Sequence, residues 1–584
     1  MRIPFQRQDK REKVMIRSFG GYERRGDSSE GSFFDMKNMT GDKHPYISTR
    51  KRRSFSDLSG AKVFDIMCLD ILHNGKIVKN ALVADCENRL KAFYFEDGIM
   101  SGHDLFNTTT LLTQAKKQSV VVGTRVYFFP DNAYYDMMDG SVGPLELHTT
   151  YEQGALSDGF YEFAFEPCDI DGNDSESVSP YRRLRRYCYK LTADAKKGDF
   201  NKFMSFTADI GKNDTVELEF TAKSNLTGFY NIVNRAADKS FIVVESEYAG
   251  VISEGAVNVK REVPKMDFVV SAKNRLWGCR YGTDAYGKCV NEIYASALSD
   301  PKNWHRFLGV STDSYSASIG CGGAFTGAVC MDGNPVFFKE DTIIKVHGSY
   351  PSEFTVTETA QRGIEAGSAD SAVFVNDDLY YKTYSGIVRY DGGIPVNVDA
   401  PLGGVKYKNA IAGTTGDKYY VSMEDENGKR ELFVYDIKLR LWYKEDSANI
   451  KSFCRCGGDL YFLCDEDGKS RVYSVRSTEG FEPEESFEWF CESTRIGFDT
   501  PDRKYVSSVS VRVDCKDDSR CDIYLEYDGN GAWHKQASLC GADSSHFVRL
   551  RPDRCDFFRI RLEGKGECAV RSVTRTLEGC SAYS

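Results

Sequence analysis

What most constrains this chain is one recurring dipeptide type. Asn-Gly or Asp-Gly begins at Asn74, Asp97, Asp139, Asp158, Asp171, Asp332, Asp391, Asn427, Asp467, Asp528 and Asn530. Both central residues of a two-residue type I′ turn need positive φ, which these residue types tolerate best, so each pair marks a candidate hairpin tip. Between the pairs, apolar and polar residues alternate with period two, while 3.6-residue periodicity is nearly missing. The best helical candidate is "TADAKKGDFNKFM" from Thr192. The chain therefore reads as all-β, with sheets built from hairpins that are local in sequence.

A weak repeat underlies the hairpins. "NRLKAFYFEDG" (Asn88), "TRVYFFPDNAYYDMMDG" (Thr124), "NRLWGCRYGTDAYGKCVNEIYAS" (Asn274), "NPVFFKEDTIIKVHGS" (Asn334), "DLYYKTYSGIVRYDGG" (Asp378), "DKYYVSMEDENGKRELFVYD" (Asp417) and "DLYFLCDEDGKSRVYSV" (Asp459) share a polar start, an aromatic-rich strand, a turn and a second strand. From Asn274 onward their spacing is roughly 40 to 60 residues, the length of a four-stranded propeller blade. The expectation is a β-propeller of about six or seven blades, against the alternative of unrelated antiparallel sheets.

The repeat breaks between Gly140 and Pro264, where "GFYEFAFEPCDIDGNDSESVSP", "TVELEFTA", "GFYNIVNR" and "KSFIVVESEY" read as short strands without the blade pattern. An inserted β-sandwich of fibronectin or immunoglobulin type over 145–263 accounts for them. "STEGFEPEES" after Arg476 reads as an acidic linker, and the strand-rich remainder as a C-terminal jelly-roll or sandwich. The resulting division is an N-terminal extended arm over 1–60, first blades over 61–144, the insert over 145–263, further blades over 264–476 and the C-terminal module over 485–584.

With 584 residues, 41% hydrophobic and 28% charged, the composition is that of a globular protein of several domains, since a disordered chain would be poorer in aromatics than the 13% here. No apolar run is long enough to cross a bilayer, and "MRIPFQRQDKREKV" lacks the apolar stretch of a secretory signal. The 18 cysteines are scattered without a CxxC pair, which predicts reduced thiols packed as small apolar groups; Cys454, Cys456 and Cys464, on neighbouring strands of one hairpin, are read as core rather than as zinc ligands.

Catalytic signatures are sparse. There is no GxSxG elbow and no GxGxxG, and "DGKS" at Asp467 has Leu463 where a phosphate-binding loop needs its first glycine. The eight histidines never stand at metal-ligand spacing, and "DIDGND" at Asp169 departs from a calcium loop at Asp174 and Pro180. The Asp-box of sialidases is absent; "SDPKNW" at Ser299 lacks its glycine. The expectation is a protein that is not an enzyme and holds no metal or cofactor.

Charge draws attention to the N-terminus. The first 60 residues carry 14 Lys and Arg against 8 Asp and Glu, a balance of +6, which leaves −16 for the remainder. The stretch "FGGYERRGDSSEGSFFDMKNMTGDKHPYISTRKRRSF" from Phe19 reads as an extended arm with a double glycine and a basic run. Arg50, Lys51, Arg52 and Arg53 are its candidate assembly residues, gripping an acidic neighbour; DNA contact is the sharper reading and a solvated charged face the plainer one.

Four segments together resemble the tail nozzle (tail tubular protein B) and tail-hub proteins of short-tailed phages and related prophages. They are the opening pattern through Phe19, Gly20, Gly21, Asp35, Asn38, Arg50 and Arg53; "YEFAFEPCDIDGNDSESVSP"; "NRLWG…NEIYASALSDPKNWHRF" from Asn274 with "STDSYSASIGCGGAFTGAV" and "FFKEDTIIKVHGSYPSEF"; and "SGIVRYDGGIPVNVDAPL". The resemblance covers residues 15 to 476, and "GDKHPY" stands where the family pattern has Gly-Pro. It implies a structural virion subunit of a DNA-ejection conduit, assembled in the host cytoplasm. Its implied partners are copies of itself in a homohexameric ring, adjacent tail or adaptor proteins, and DNA in transit without sequence-specific binding. Two other functions fit the residues: a carbohydrate- or receptor-binding propeller using Trp304, Trp442 and Trp533 as stacking platforms, and a sialidase-like propeller hydrolase.

Overall fold

The computed structural model describes residues 11–579 apart from short stretches, the longest being 172–186 and 196–209. In it, Asn74 and Gly75 take φ of 49° and 73° and turn Val63–His73 into Lys76–Cys86. Asp332 and Gly333, at 50° and 71°, do the same between Gly327–Met331 and Asn334–Lys339. Lys273 and Asn274 adopt this geometry too, at 55° and 56°, although Lys is not a residue that turn chemistry selects.

The protein is all-β and of β-propeller type. Among the described residues, seven antiparallel meanders are of blade type, at 63–107, 118–144, 268–318, 327–360, 373–397, 408–444 and 450–474. Helical turns among the described residues are three-residue 3₁₀ segments, and no helix among them is long and apolar enough to cross a membrane. Strands such as Lys418–Glu424 and Asp459–Glu466 are buried along most of their length, as blades covered on both faces must be.

The chain divides into two units. The first, Met1–Thr108 with Gln361–Ser584, holds the blades at 63–107, 373–397, 408–444 and 450–474. Their first strands pack in succession, Val373–Val375 on Lys408–Thr414, then Ile450–Cys456, then Val63–His73. Ser54–Ser56 pairs with Lys469–Ser474, so an N-terminal strand completes a blade begun more than 390 residues later. The second unit, Thr109–Ala360, holds the other three blades and, between the first two of them, an eight-stranded sheet running from Leu147 to Arg261. That sheet folds over one apolar core, in which Phe165, Tyr189, Leu218, Ile232, Val244 and Val259 meet.

Residues 1–60 do not form a separate arm. Arg11–Ile16, Met39–Thr40 and Ile47–Thr49 join one sheet of the C-terminal sandwich, where Arg11–Ile16 and Ile47–Thr49 pair with Cys568–Gly579. Phe33–Lys37 joins the other sheet beside Glu488–Ser493. The physical reason is unpaired backbone: sheet edges need strands, and the N-terminal segment supplies them. Nor is "STEGFEPEES" a free linker, because Glu482–Pro483 pairs with the same Ser54–Ser56 strand. The helix expected from Thr192 is also corrected. Thr192 to Ala195 end the strand Tyr187–Ala195, held between Gly159–Cys168 and Phe241–Ser246, and ladder pairing overrides local propensity; the rest of that segment lies outside the described residues.

Candidate functional site

The basic run resolves into two buried and two exposed side chains. Asn38 sits at φ 58°, donates its backbone N–H to Glu445 O (2.6 Å) and its side-chain amide to Glu488 O (2.8 Å). Its Oδ1 accepts from Arg50 Nε at 2.8 Å. Arg50, 5% exposed, then forks onto Glu484 with Nη1 at 2.7 Å and Nη2 at 2.8 Å, its guanidinium lying 4.2 Å from the Phe487 ring centre. Arg53, 3% exposed, donates Nη1 to Asp446 at 2.6 Å and Nη2 to Glu445. Burial pushes the Asp446 and Glu484 carboxyls up, but the neighbouring guanidiniums more than reverse this and hold both below the ordinary carboxylate range.

Lys51 and Arg52 are exposed, Arg52 with a 4.0 Å surface contact to Glu567. Of the four residues expected to grip a neighbouring subunit, Arg50 and Arg53 are committed to carboxylates of their own chain, and removing them would leave buried charges without partners. The glycines of the pattern have the same cause. Gly21, at φ 74°, lies where a Cβ would stand 2.6 Å from Trp442 O, and Tyr22 N donates to that same carbonyl at 2.6 Å. Asp35 faces Lys444 at 3.2 Å. The N-terminal segment is a clasp within the first unit.

The tryptophans proposed as platforms fare similarly. Trp304 and Trp442 are 3% and 1% exposed, their indole N–H groups donating to Pro301 O and Val398 O. Trp533 is half-buried, beside the Arg559 guanidinium at 5.2 Å. Cys454, Cys456 and Cys464 are buried thiols. Among the described residues no group of three or more His, Cys, Asp or Glu side chains is placed to hold a metal.

A different set of residues forms a cleft of about 680 Å³ within the second unit. One wall is the insert sheet, whose strands Thr215–Phe220, Gly228–Arg235 and Phe241–Ser246 lie side by side. Along Gly228–Arg235, Tyr230 and Ile232 point into the insert's core, so Phe229 and Asn231 take the opposite face. Phe229 is 54% exposed. Asn231 pairs with Thr215 on one side, and the Ile232 to Val244 pairing brings Glu245 alongside it on the other. Thr215, Asn231 and Glu245 thus make a polar row across three strands.

The other wall is the loop after Cys289–Ala295. Asp313 accepts the backbone N–H groups of Leu308, Gly309 and Val310 at 2.5, 2.6 and 3.0 Å, fixing a turn that presents Phe307, 59% exposed. Asn303, buried, accepts from Thr215 N and donates to Asp214 and Asp300, riveting the loop to the insert. Within this network burial, then the Asp214 charge, raises the Asp300 carboxyl above its ordinary value. His305 stacks on Phe229 with ring centres 4.4 Å apart and planes at 20°. Burial holds its imidazole below the ordinary value, so it is uncharged at neutral pH. The cleft is an aromatic shelf over a polar floor.

No protein-family model and no curated protein sequence matches the chain. Solved structures similar to it include an exo-β-1,3-galactanase from Phanerochaete chrysosporium with galactose, 11% identical over 52% of this chain and 94% of that one, TM-score 0.21. Another is a Trypanosoma rangeli sialidase with 2,3-difluorosialic acid, 9% identical over 97% and 95%, TM-score 0.23. A third is the Bombyx mori GH32 β-fructofuranosidase, 9% identical over 53% and 91%, TM-score 0.16. The expectation that the chain is not an enzyme is corrected on this finding, because the solved structures it is similar to are glycoside hydrolases. What those proteins act on is not carried to this chain by likeness of that degree.

Proposed function

We propose that this chain is a β-propeller protein that binds carbohydrate in the cleft between the insert sheet and the 297–313 loop. The observation that carries the reading is the pairing of two exposed phenylalanines with a row of polar side chains on a braced frame. The C–H face of a sugar ring is apolar and faintly positive, so it settles on the negative face of an aromatic ring, while its hydroxyls need polar partners at the edge. Two exposed phenylalanines at one cleft, with polar groups between them, are not needed for folding, and exposed apolar groups that converge on a concavity mark binding surfaces. A glycan array probed with the wild-type chain and with Phe307→Ala tests the reading: binding by the first and its loss in the second are expected. Binding unaffected by Phe307→Ala would place recognition elsewhere. Release of sugar from bound glycans, followed on the same samples, reads hydrolysis directly.

A second reading, a structural subunit of a phage tail, is favoured by a separate observation. Gly21, Asn38, Arg50 and Arg53, which carry the resemblance to tail nozzle proteins, are also residues that build the clasp, so the pattern has a physical cause in the fold. Negative-stain imaging of the purified chain tests it, with rings expected and dispersed single particles contradicting it.

A further inference from the structure

Two thiols in the C-terminal sandwich are placed to become one bond. Cys515 ends the strand Lys504–Cys515, Cys568 begins the strand Cys568–Gly579, and the two face each other directly across the antiparallel ladder. Their register decides the geometry. Lys516 N donates to Glu567 O at 3.2 Å, so the 516/567 pair is of the hydrogen-bonded kind and 515/568, one step along, is of the other kind. The Cys568 N–H accordingly turns away from Cys515 and donates to Thr49 Oγ1 at 3.0 Å. In non-hydrogen-bonded pairs the Cα atoms stand about 4.5 Å apart, within the span of about 4.4–6.8 Å that a disulfide bridges. Alternation sends Val509, Val511, Val513 and then Cys515 into the sandwich core, where Cys568 lies with them. The two Sγ atoms are 3.3 Å apart, with the Cys568 S–H donating to Cys515.

We infer that Cys515 and Cys568 close into a cross-strand disulfide when the folded protein meets a small-molecule disulfide, which makes the pair a redox-operated staple of the sandwich. The hydrogen bond from Cys568 holds the Cys515 thiol below its ordinary value against the opposing effect of burial, so Cys515 is the sulfur that ionises and attacks. Its thiolate displaces one half of the small disulfide and is left in a mixed disulfide. Cys568, losing its proton, then attacks the Cys515 sulfur and expels the second half. Two protein thiols are oxidised to one disulfide, one small disulfide is reduced to two thiols, and the two protons the protein loses end on those thiols. Both cysteines are buried, yet each is the terminal residue of its strand, where a ladder opens most readily. Cys491 and Cys521 share the core but belong to the facing sheet, opposite Leu562 and Gly564. The bond joins residues 53 apart in sequence and fastens the strand Ile47–Thr49 as well, since the Thr49 hydroxyl also donates to Cys568 O at 3.3 Å.

The test treats the full native chain with oxidised glutathione at neutral pH, denatures it in an alkylating agent, digests it without reductant and maps linked peptides by mass spectrometry, beside Cys515→Ser and Cys521→Ser. The peptides bearing Cys515 and Cys568 should be joined, their summed mass short by the two hydrogens the bond removes, in wild type and Cys521→Ser but not in Cys515→Ser, and dithiothreitol should part them. Backbone amide exchange around Thr49 and Cys568 should slow severalfold on oxidation of wild type and stay unchanged in Cys515→Ser. The wild-type map is decisive by itself if a variant does not fold. Alkylation of both Cys515 and Cys568 in the treated wild type, glutathione left on either, or a link from either to Cys491 or Cys521 would overturn the inference. Linkage without slower exchange would overturn the action as a staple.

Discussion

The N-terminal clasp and the insert cleft reverse each other's chemistry. In the clasp, charged side chains that belong on a surface are buried: Arg50 and Arg53 lie inside with Glu484, Glu445 and Asp446 around them. In the cleft, phenylalanines that belong in a core stand in solvent beside a row of polar side chains. Guanidiniums already forked onto carboxylates of their own chain, with Arg53 Nε alone of their nitrogens lacking a partner among the described residues, have little capacity left for a ligand. An exposed aromatic ring in a cleft has more. The difference teaches that a conspicuous charge run is weaker evidence of a binding site than a quiet strand with one aromatic on its wrong face.

The comparison breaks most sharply at Arg53. Arg53→Ala strands Glu445 and Asp446 inside the protein, and losing one partner of a buried pair costs about 3–5 kcal/mol; the midpoint of urea unfolding should fall accordingly or the chain should fail to fold. Gly21→Ala forces an L side chain into left-handed backbone, costing about 1–2 kcal/mol before its clash with Trp442 O is counted. A smaller effect is expected from acid. Because the folded values of Asp446 and Glu484 are depressed, their contribution is present above the ordinary carboxylate range, near about 4, and is lost as pH falls through the folded values. Unfolding free energy measured from pH 6 down to pH 3 should therefore decline, with the same slope in Lys51→Ser, which touches neither carboxylate. Smallest of all, Phe307→Ala and Arg52→Ser should each change stability by less than about 0.5 kcal/mol, since both side chains are exposed. A large loss in either would mean that the contrast between clasp and cleft is misdrawn.

Much of the fold was legible because it is local. Turn pairs such as Asn74–Gly75 and Asp332–Gly333 state where strands reverse, and the break after Gly140 marks where blade chemistry stops. The N-terminal segment misled because its partners are distant in sequence. Nothing near Arg50 announces Glu484, and Asn38 meets Glu488 only once the sandwich has formed. Trp304 and Trp442 misled for a related reason, since an indole beside a turn can as easily anchor the loop from below. The cleft had a signal that went unused: in "GFYNIVNR" the alternation puts Tyr230 and Ile232 on one face and leaves Phe229 on the other with Asn231. Phe307 had none, because its exposure follows from the Asp313 turn, whose hydrogen bonds are not written as a motif.

The most direct test of the account is a titration of one array-positive neutral glycan into three proteins: wild type, Phe307→Ala, and the double variant Lys51→Ser with Arg52→Ser. The account predicts that Phe307→Ala weakens binding tenfold or more with unchanged thermal unfolding, while the double variant binds as wild type does. Wild-type affinity in Phe307→Ala, together with loss in the double variant, would contradict it and return recognition to the basic N-terminal run.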